Sequence, residues 1–291
     1  MEGLKNHLLR IIGSRKLVLL RENARSLSNL KDTASIIVRD ALDFDVGYTI
    51  ACFAGKFALN MPLLHDNIGI GIAAGANIFL LEAVPINYNV GVSRMNSNIG
   101  KLKDARVVLL SGVNSGGKTS TLELLAQVVI LAHMGFPVPA KECELGLVDE
   151  FYYFGKSKGT MDAGAFESTI REFSAIANNK SKIVLTDEME SITEPGASAK
   201  IISGILEELD DNKGLGVFVS HLADSILKNT DHNIRIDGIE AKGLDENLNL
   251  IVDRNPRYNY LARSTPELIV ERLARKNKDN EFYERLLKKF K

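Results

Sequence analysis

One loop of the sequence has the residue types and spacing of a phosphate-binding site. Residues 111–125 read SGVNSGGKTSTLELL, and from Gly112 the spacing is G-x-x-x-x-G-K-T. In such a loop backbone N–H groups curl around phosphates, while the lysine reaches the outer phosphates and the hydroxyl reaches Mg²⁺. The dipole of the following helix favours an anion at the same place. The alternative is a glycine-rich turn before a surface helix. We expect the nucleotide-binding residues to be Gly112, Asn114, Ser115, Gly116, Gly117, Lys118, Thr119 and Ser120.

Further polar residues follow two apolar segments, KIVLTDE at 182–188 and GVFVSH at 216–221. Asp187 can bind Mg²⁺ together with Thr119, and Glu188 can orient and deprotonate a water molecule. His221 can sense a γ-phosphate through a hydrogen bond. Two acids after a strand also commonly cap a helix, and a histidine there is more often structural. Together with the glycine-rich loop, however, they predict a Mg-dependent ATPase whose catalytic residues are Lys118, Glu188 and His221.

These residues need a sheet that brings several strand ends together. RVVLLS at 106–111 predicts a strand leading into the loop, and 119–133 predicts a helix. Downstream, short apolar segments alternate with helical ones, which is typical of a mostly parallel sheet flanked by helices. The predicted strands after the loop are LGLVD, KIVLTD, GVFVS and NIRID. The helices predicted between them include 165–178 and 199–209. Two short strands are predicted before the loop, at 68–73 and 78–81.

Helical segments flank this predicted α/β domain. Apolar residues at three- and four-residue steps predict a long helix from Ser26 to Asn60, and this stripe comprises Leu30, Ala34, Ile37, Ala41, Phe44, Tyr48 and Ala51. Near the end, Thr265 and Pro266 predict the start of one helix, and Phe282, Leu286 and Phe290 lie on one face of another. The predicted domains are a helical segment (1–65), an ATPase domain (66–262) and a C-terminal helical pair (263–291).

The composition excludes several classes of protein. Lys and Arg number 36 and Asp and Glu 37, so the net charge of -1 gives no global attraction for nucleic acid. The two cysteines lack the spacing of a metal site and cannot form a disulfide framework. No apolar run is long enough to span a membrane, and the start does not resemble a signal peptide. We expect a cytoplasmic protein.

Several segments of the sequence match the motifs of one known protein family in residue type, in order and in spacing. GVNSGGKT is followed by GFPVPA at 135–140 and FESTIREF at 166–173, and VSHLADS at 219–225 follows KIVLTDE. Over roughly 68–273, this text resembles the ATPase domain of the MutS family of DNA-repair proteins. The resemblance implies a P-loop NTPase of the ABC-like type that uses ATP and Mg²⁺, with Walker A residues in the loop and Walker B residues at Asp187 and Glu188.

The resemblance also implies partners. In the family, ATP lies between two such domains, and a signature helix of one subunit points at the γ-phosphate held by the other. We therefore expect a homodimer through the ATPase face and the C-terminal helices. DNA is the expected partner of the full-length protein or assembly, which would be nucleoid-associated in a prokaryote, and no membrane is expected. The residues before 66 are too few for mismatch-reading, connector, core and clamp domains, so a branch or fragment without the mismatch-reading domain is implied.

Three departures from the family pattern concern residues around the nucleotide. The signature Ser-Thr pair falls at Gly164 and Ala165, so contact across the dimer would depend on backbone N–H groups or on Ser168 and Thr169. Glu190 and Ile192 replace glycines after the magnesium strand, although the next residues resemble the family's dimer loop. The expected dimer-loop residues are Thr193, Glu194 and Pro195, and the expected adenine wall is Val84, Pro85 and Ile86.

The sequence thus predicts an ATP-binding and ATP-hydrolysing domain that couples nucleotide state to dimerisation and DNA binding. One alternative is a nucleotide-gated dimerisation module with negligible turnover, because the signature and dimer loop are altered. Another is an ATPase of a transporter or an SMC-type clamp. That alternative is disfavoured because no LSGGQ-like segment precedes KIVLTDE and no coiled-coil arm divides the domain.

Overall fold

The computed structural model describes residues 2–95, 102–113, 116–156, 163–189, 194–244, 250–262, 265–277 and 280–289. The chain divides into two compact units, Met1–Gly55 and Lys56–Lys291. The predicted domain boundaries at 65 and 262 remain predictions.

The first unit is formed by a long helix, α1 (Glu2–Phe57), in which no residue is buried. The helix begins at Glu2 rather than at Ser26, because no proline interrupts the preceding residues and an isolated glycine costs only about 1 kcal/mol in a helix. Two members of the predicted stripe, Ile37 and Phe44, have exposed side chains. Among the described residues, no helix combines the length and the apolar character needed to cross a membrane.

The second unit is an α/β structure with mixed sheets. Its helices within the described ranges are α2 (Lys118–His133), α3 (Ala163–Ser174), α4 (Pro195–Asp211), α5 (Ala223–Leu227), α6 (Thr265–Lys276) and α7 (Glu281–Leu287). Its strands are β1 (Leu63–His65), β2 (Gly69–Gly75), β3 (Ile86–Gly91), β4 (Val107–Gly112), β5 (Glu142–Gly146), β6 (Glu150–Phe154), β7 (Lys182–Asp187), β8 (Leu215–Val219), β9 (Arg235–Ile239), β10 (Ala241–Leu244), β11 (Leu250–Val252) and β12 (Arg257–Tyr258).

The main sheet has the strand order β12-β9-β4-β8-β7-β6. All neighbouring pairs are parallel except β12 with β9. The prediction of a mostly parallel sheet flanked by helices is confirmed for this sheet. Register pairs Leu110 of β4 and Asp187 of β7 with Val219 of β8. The carboxyl ends of these strands therefore meet at one edge, which is where ligands bind in open α/β sheets.

A second sheet has the order β1-β5-β2-β3 and is antiparallel except for β1 with β5. Two of the predicted strands differ in the structure. The strand predicted at 145–149 ends as β5 at Gly146, because Asp149 turns the chain by hydrogen bonding to Ser181. Residues 78–81 form a turn rather than a strand, because the Asn77 side chain accepts the Phe79 N–H at 2.9 Å.

Helix α2 occupies the core between the two sheets. Its inward residues pack with residues of both sheets in one buried cluster, and the four predicted from the sequence are all buried: Leu122, Leu125, Val129 and Ala132. A second cluster covers the other face of the main sheet with residues of α3, α4 and α5. The loop before α2 is therefore attached to a helix with many buried residues.

The C-terminal helical pair is present as α6 and α7. Thr265 is the first residue of α6, and Asn280 caps α7 by accepting the Phe282 N–H at 3.0 Å. Phe282 is exposed and Leu286 is partly buried, whereas Phe290 lies outside the described residues. Part of the predicted apolar face of α7 is thus accessible.

Candidate functional site

The glycine-rich loop joins β4 to α2 through a backbone that glycine alone adopts without strain. Gly112 has a φ of 140° and Gly117 a φ of 104°, which lie in the region that disfavours side chains. A Cβ on Gly112 would also lie 2.3 Å from the Ile239 carbonyl oxygen. Asn114 and Ser115 lie outside the described residues. The two glycines fix the path of the chain on either side of the loop.

Lys118 is the first residue of α2, and its side chain turns back over the loop. It is 5% exposed, and its Nζ donates to the carbonyl oxygens of Gly112 at 2.8 Å and Val113 at 3.2 Å. The loop's own carbonyls thus hold a buried ammonium group beside the N-terminus of a helix. Both features attract an anion.

Thr119 and Asp187 meet although they lie far apart in the sequence. The Thr119 hydroxyl donates to Asp187 Oδ2 at 2.9 Å. Asp187 is 4% exposed, and its other oxygen, Oδ1, has no hydrogen-bond partner among the described residues. Burial raises the pKa of Asp187, although the Thr119 hydrogen bond opposes this shift.

This pair fits Mg²⁺. The ion prefers oxygen ligands and is usually bound through one or two carboxylates together with substrate phosphates. A buried carboxylate oxygen without a partner is costly, and a cation would satisfy it. Thr119 and Asp187 are therefore the residues that would hold Mg²⁺.

Glu188 lies next to this pair with an unusual backbone. Its φ is 47°, and its N–H donates to the Val219 carbonyl oxygen at 3.1 Å. One carboxylate oxygen forms an ion pair with Lys156, and the other lies 3.0 Å from His221 Nε2. Burial acts to raise the pKa of Glu188, but the hydrogen bonds from Lys156 and His221 outweigh it and lower the pKa below its ordinary value.

These side chains line one open cleft with a volume of about 430 Å³. Lys118, Thr119, Glu188 and His221 all contribute to its walls. The structure therefore brings together the predicted catalytic residues, and Asp187 accepts a hydrogen bond from Thr119, one of the residues that line the cleft. This cleft lies at the sheet edge where β4, β7 and β8 end.

A smaller cavity adjoins the loop and contains part of the predicted adenine wall. Val84 and Ile86 line it together with Gly117 and Ser120. Pro85 is not among its lining residues. Arg254 and Leu80 border both this cavity and the cleft.

Sequence reasoning missed Lys156 and Arg254. Lys156 follows β6, a strand that was not predicted, and Arg254 lies in the short segment between β11 and β12. Neither belongs to a recognisable motif. The strand order of the sheet, which places β6 beside β7, was the missing information.

Several of the residues expected to act across a dimer lie in α3 or next to α4. Gly164 and Ala165 lie in the first turn of α3, and Ser168, which is exposed, lies in its second turn. Glu194 is exposed just before α4, and Pro195 is the first residue of that helix. Thr193, like Glu190 and Ile192, lies outside the described residues. The role of these residues remains a prediction.

The chain is similar in sequence to several known proteins. Residues 108–256 match a family model described as MutS domain V. A relative named DNA-binding protein MutS2, from Pyrococcus furiosus, is 50% identical over 226 residues, which cover 77% of this chain and 40% of the relative.

More distant relatives also match. Endonuclease MutS2 of Fusobacterium nucleatum is 23% identical over 251 residues, covering 82% of this chain and 29% of that protein. DNA mismatch repair protein MutS of Flavobacterium psychrophilum is 26% identical over 226 residues, which cover 72% of this chain and 25% of that protein. The match thus spans 40% or less of the length of each of these three relatives.

Proposed function

The chain belongs to the MutS family, and on this premise we propose that its cleft binds Mg-ATP and hydrolyses it to ADP and phosphate. The fold would then be a P-loop NTPase of the ABC-like type. The observation that carries the proposal is the meeting of Thr119, Asp187 and Glu188 beside the glycine-rich loop. The three residues come from two separate segments, and their roles require them to share one site.

Binding of the triphosphate depends on the loop and on Lys118. The backbone N–H groups at the start of α2 face the anion, and the Lys118 ammonium exchanges its contacts with Gly112 and Val113 for contacts with phosphate oxygens. Mg²⁺, when bound by Thr119 and Asp187, neutralises charge on the outer phosphates. The protein thereby holds the γ-phosphate in a fixed position, which is most of what catalysis of phosphoryl transfer requires.

Hydrolysis depends on Glu188. Its carboxylate orients a water molecule and accepts a proton from it, while the water oxygen forms a bond to the γ-phosphorus and the bond to the ADP oxygen breaks. The lowered pKa keeps Glu188 ionised at neutral pH and hence able to accept a proton. His221, 3.0 Å from Glu188, positions the carboxylate and lies in the same cleft, where it can reach the γ-phosphate.

We further propose that nucleotide state controls dimerisation and DNA binding. The exposed Ser168 lies within α3 and the exposed Glu194 immediately precedes α4, and a second chain could contact both. Names of the relatives include a DNA-binding protein and a DNA mismatch repair protein. Because this chain matches a minor part of each, the DNA interaction is proposed for the complete protein or assembly.

The test compares ATP binding and phosphate release by the parent protein and Lys118→Ala. The variant should lose tight binding of Mg-ATP, because the phosphates lose a buried cation while the core remains packed. Equal affinity in the variant would overturn the assignment of the loop. If the parent binds ATP but never converts it, the alternative of a nucleotide-gated dimerisation module is correct instead.

A further inference from the structure

Arg254 lies beside the phosphate loop, although no motif marks it. Its side chain is exposed and borders both the cleft that contains Lys118 and the smaller cavity lined by Val84. A Cβ built on Gly117 would lie 3.8 Å from Arg254 Nη1. The guanidinium group therefore reaches the residue that immediately precedes α2.

Hydrogen bonds on both sides fix the segment that carries Arg254. The Asp253 N–H donates to the Glu240 carbonyl oxygen at 2.9 Å. On the other side, the Asn87 N–H donates to Asn255 Oδ1 at 2.8 Å. The backbone of Arg254 is thus held between the end of β9 and the start of β3.

The Arg254 side chain makes no hydrogen bond or ion pair with any residue in the described ranges. Two nearby arginines behave differently, since Arg235 pairs with Asp237 and Arg257 pairs with Glu240. Arginine remains charged at any pH of interest. The cleft already contains Lys118 and also Lys156, which is paired with Glu188. A further cation there is unfavourable without an anion, and a bound polyphosphate removes that repulsion.

We propose that Arg254 is a second cationic contact for the phosphate chain of the nucleotide, a role that rests on the nucleotide binding proposed above. The planar fork of the guanidinium group suits two phosphate oxygens at once. Its place between Lys118 and Val84 puts this contact on the side of the phosphates nearer the base. Arg254 is thus a positioning residue that holds the phosphate chain in register for Glu188.

Isothermal titration of the full chain tests this role with two probes, Mg-ATP and inorganic Mg-tripolyphosphate. Arg254→Gln should weaken the binding of both by about tenfold or more, because a charge-assisted hydrogen bond is lost. Arg254→Lys keeps the charge without the fork and should recover part of the affinity. Arg39→Gln removes one arginine from α1, where the side chain is 70% exposed, and should change neither affinity.

The outcomes separate this role from the nucleotide site itself. If Lys118→Ala loses binding and Arg254→Gln does not, the site stands and the role of Arg254 is wrong. A loss confined to ATP, with tripolyphosphate unaffected, would also overturn it, since the guanidinium group would then stack on the base. A parent protein that binds neither probe would remove both the nucleotide site and the role of Arg254.

Discussion

Asp187 carries a buried carboxylate with one oxygen bonded to Thr119 and the other without a partner among the described residues. Because burial raises its pKa, the folded state binds a proton more tightly than the unfolded state does. The free energy of unfolding therefore falls as the pH rises from the ordinary pKa of aspartate to the raised pKa of the folded state. Above the raised pKa it falls no further. A buried carboxylate of this kind lowers the stability of the ligand-free protein, and a bound cation would offset that loss.

Asp187→Asn should therefore increase the free energy of unfolding by about 1 kcal/mol at pH 7 without Mg²⁺, since it removes a buried charge. The same variant should lose hydrolysis of Mg-ATP. Urea denaturation in EDTA measures the first effect. Asp211→Asn, in which the parent side chain is 72% exposed, serves as the matched control and should leave stability nearly unchanged. A less stable Asp187→Asn protein would mean that the carboxylate is satisfied in some other way.

Lys156 lowers the pKa of Glu188 through a hydrogen bond and its positive charge. Removing the ammonium group in Lys156→Met takes away a hydrogen bond and a positive charge that lower the pKa of Glu188. Because the catalytic form of Glu188 is ionised, the acid limb of the rate profile should move to higher pH. Single-turnover hydrolysis at a series of pH values measures the shift. The control is Lys228→Met, which removes an exposed lysine paired with Asp224 and should not change the pH profile. If the acid limb of Lys156→Met stays at the pH of the parent protein, Lys156 does not lower the pKa of Glu188.

Helix α2 links the phosphate loop to the core of the unit. Leu122 is fully buried between the two sheets, whereas Ile130 on the same helix is 47% exposed. Leu122→Ala should lower the free energy of unfolding by about 2–5 kcal/mol, because it removes buried methyl groups and leaves a cavity. Ile130→Ala should cost less than about 1 kcal/mol. Urea midpoints of the two variants measure the difference, and similar losses would contradict the position of α2 in the core.

Elements with a strong local pattern could be predicted from the sequence, and the others could not. The strand 182–187 has the predicted bounds, and β4 and α2 lie within one residue of theirs, because an apolar run or a periodic face defines each of them. Strand β6 was not predicted, although four consecutive aromatic residues at 151–154 favour a strand. The sequence does not show that this segment pairs with β7 at the edge of the sheet. The turn at 78–81 replaced a predicted strand because the Asn77 side chain competes for backbone hydrogen bonds.

The residues of the candidate site also fall into two groups, those that the sequence predicts and those that it does not. Lys118, Thr119, Asp187, Glu188 and His221 could be predicted, because phosphate chemistry needs these residue types at strand ends, and the structure brings them together. Side chains such as Lys156 and Arg254 reach the cleft only through the strand order of the sheet. Sequence periodicity carries no information on that order.

At the scale of the whole molecule, the cleft is open to solvent on one side, and a second chain could close it. We predict that Glu188→Gln protein dimerises more tightly when ATP is added, since binding that favours one state shifts the population toward it. Light scattering at roughly tens of micromolar, where weak interfaces are detectable, measures this with and without nucleotide. A strict monomer in both conditions would contradict a site shared between two chains.

The most direct test of the central claim is single-turnover hydrolysis by the parent protein and Glu188→Gln, with protein in excess over Mg-ATP. The substitution keeps the size of the side chain and removes the proton acceptor. Hydrolysis should fall on the order of 10²-fold or more while the affinity for Mg-ATP is retained. Equal rates in the two proteins would show that a residue other than Glu188 prepares the water, and would contradict the account of this cleft as an ATPase site.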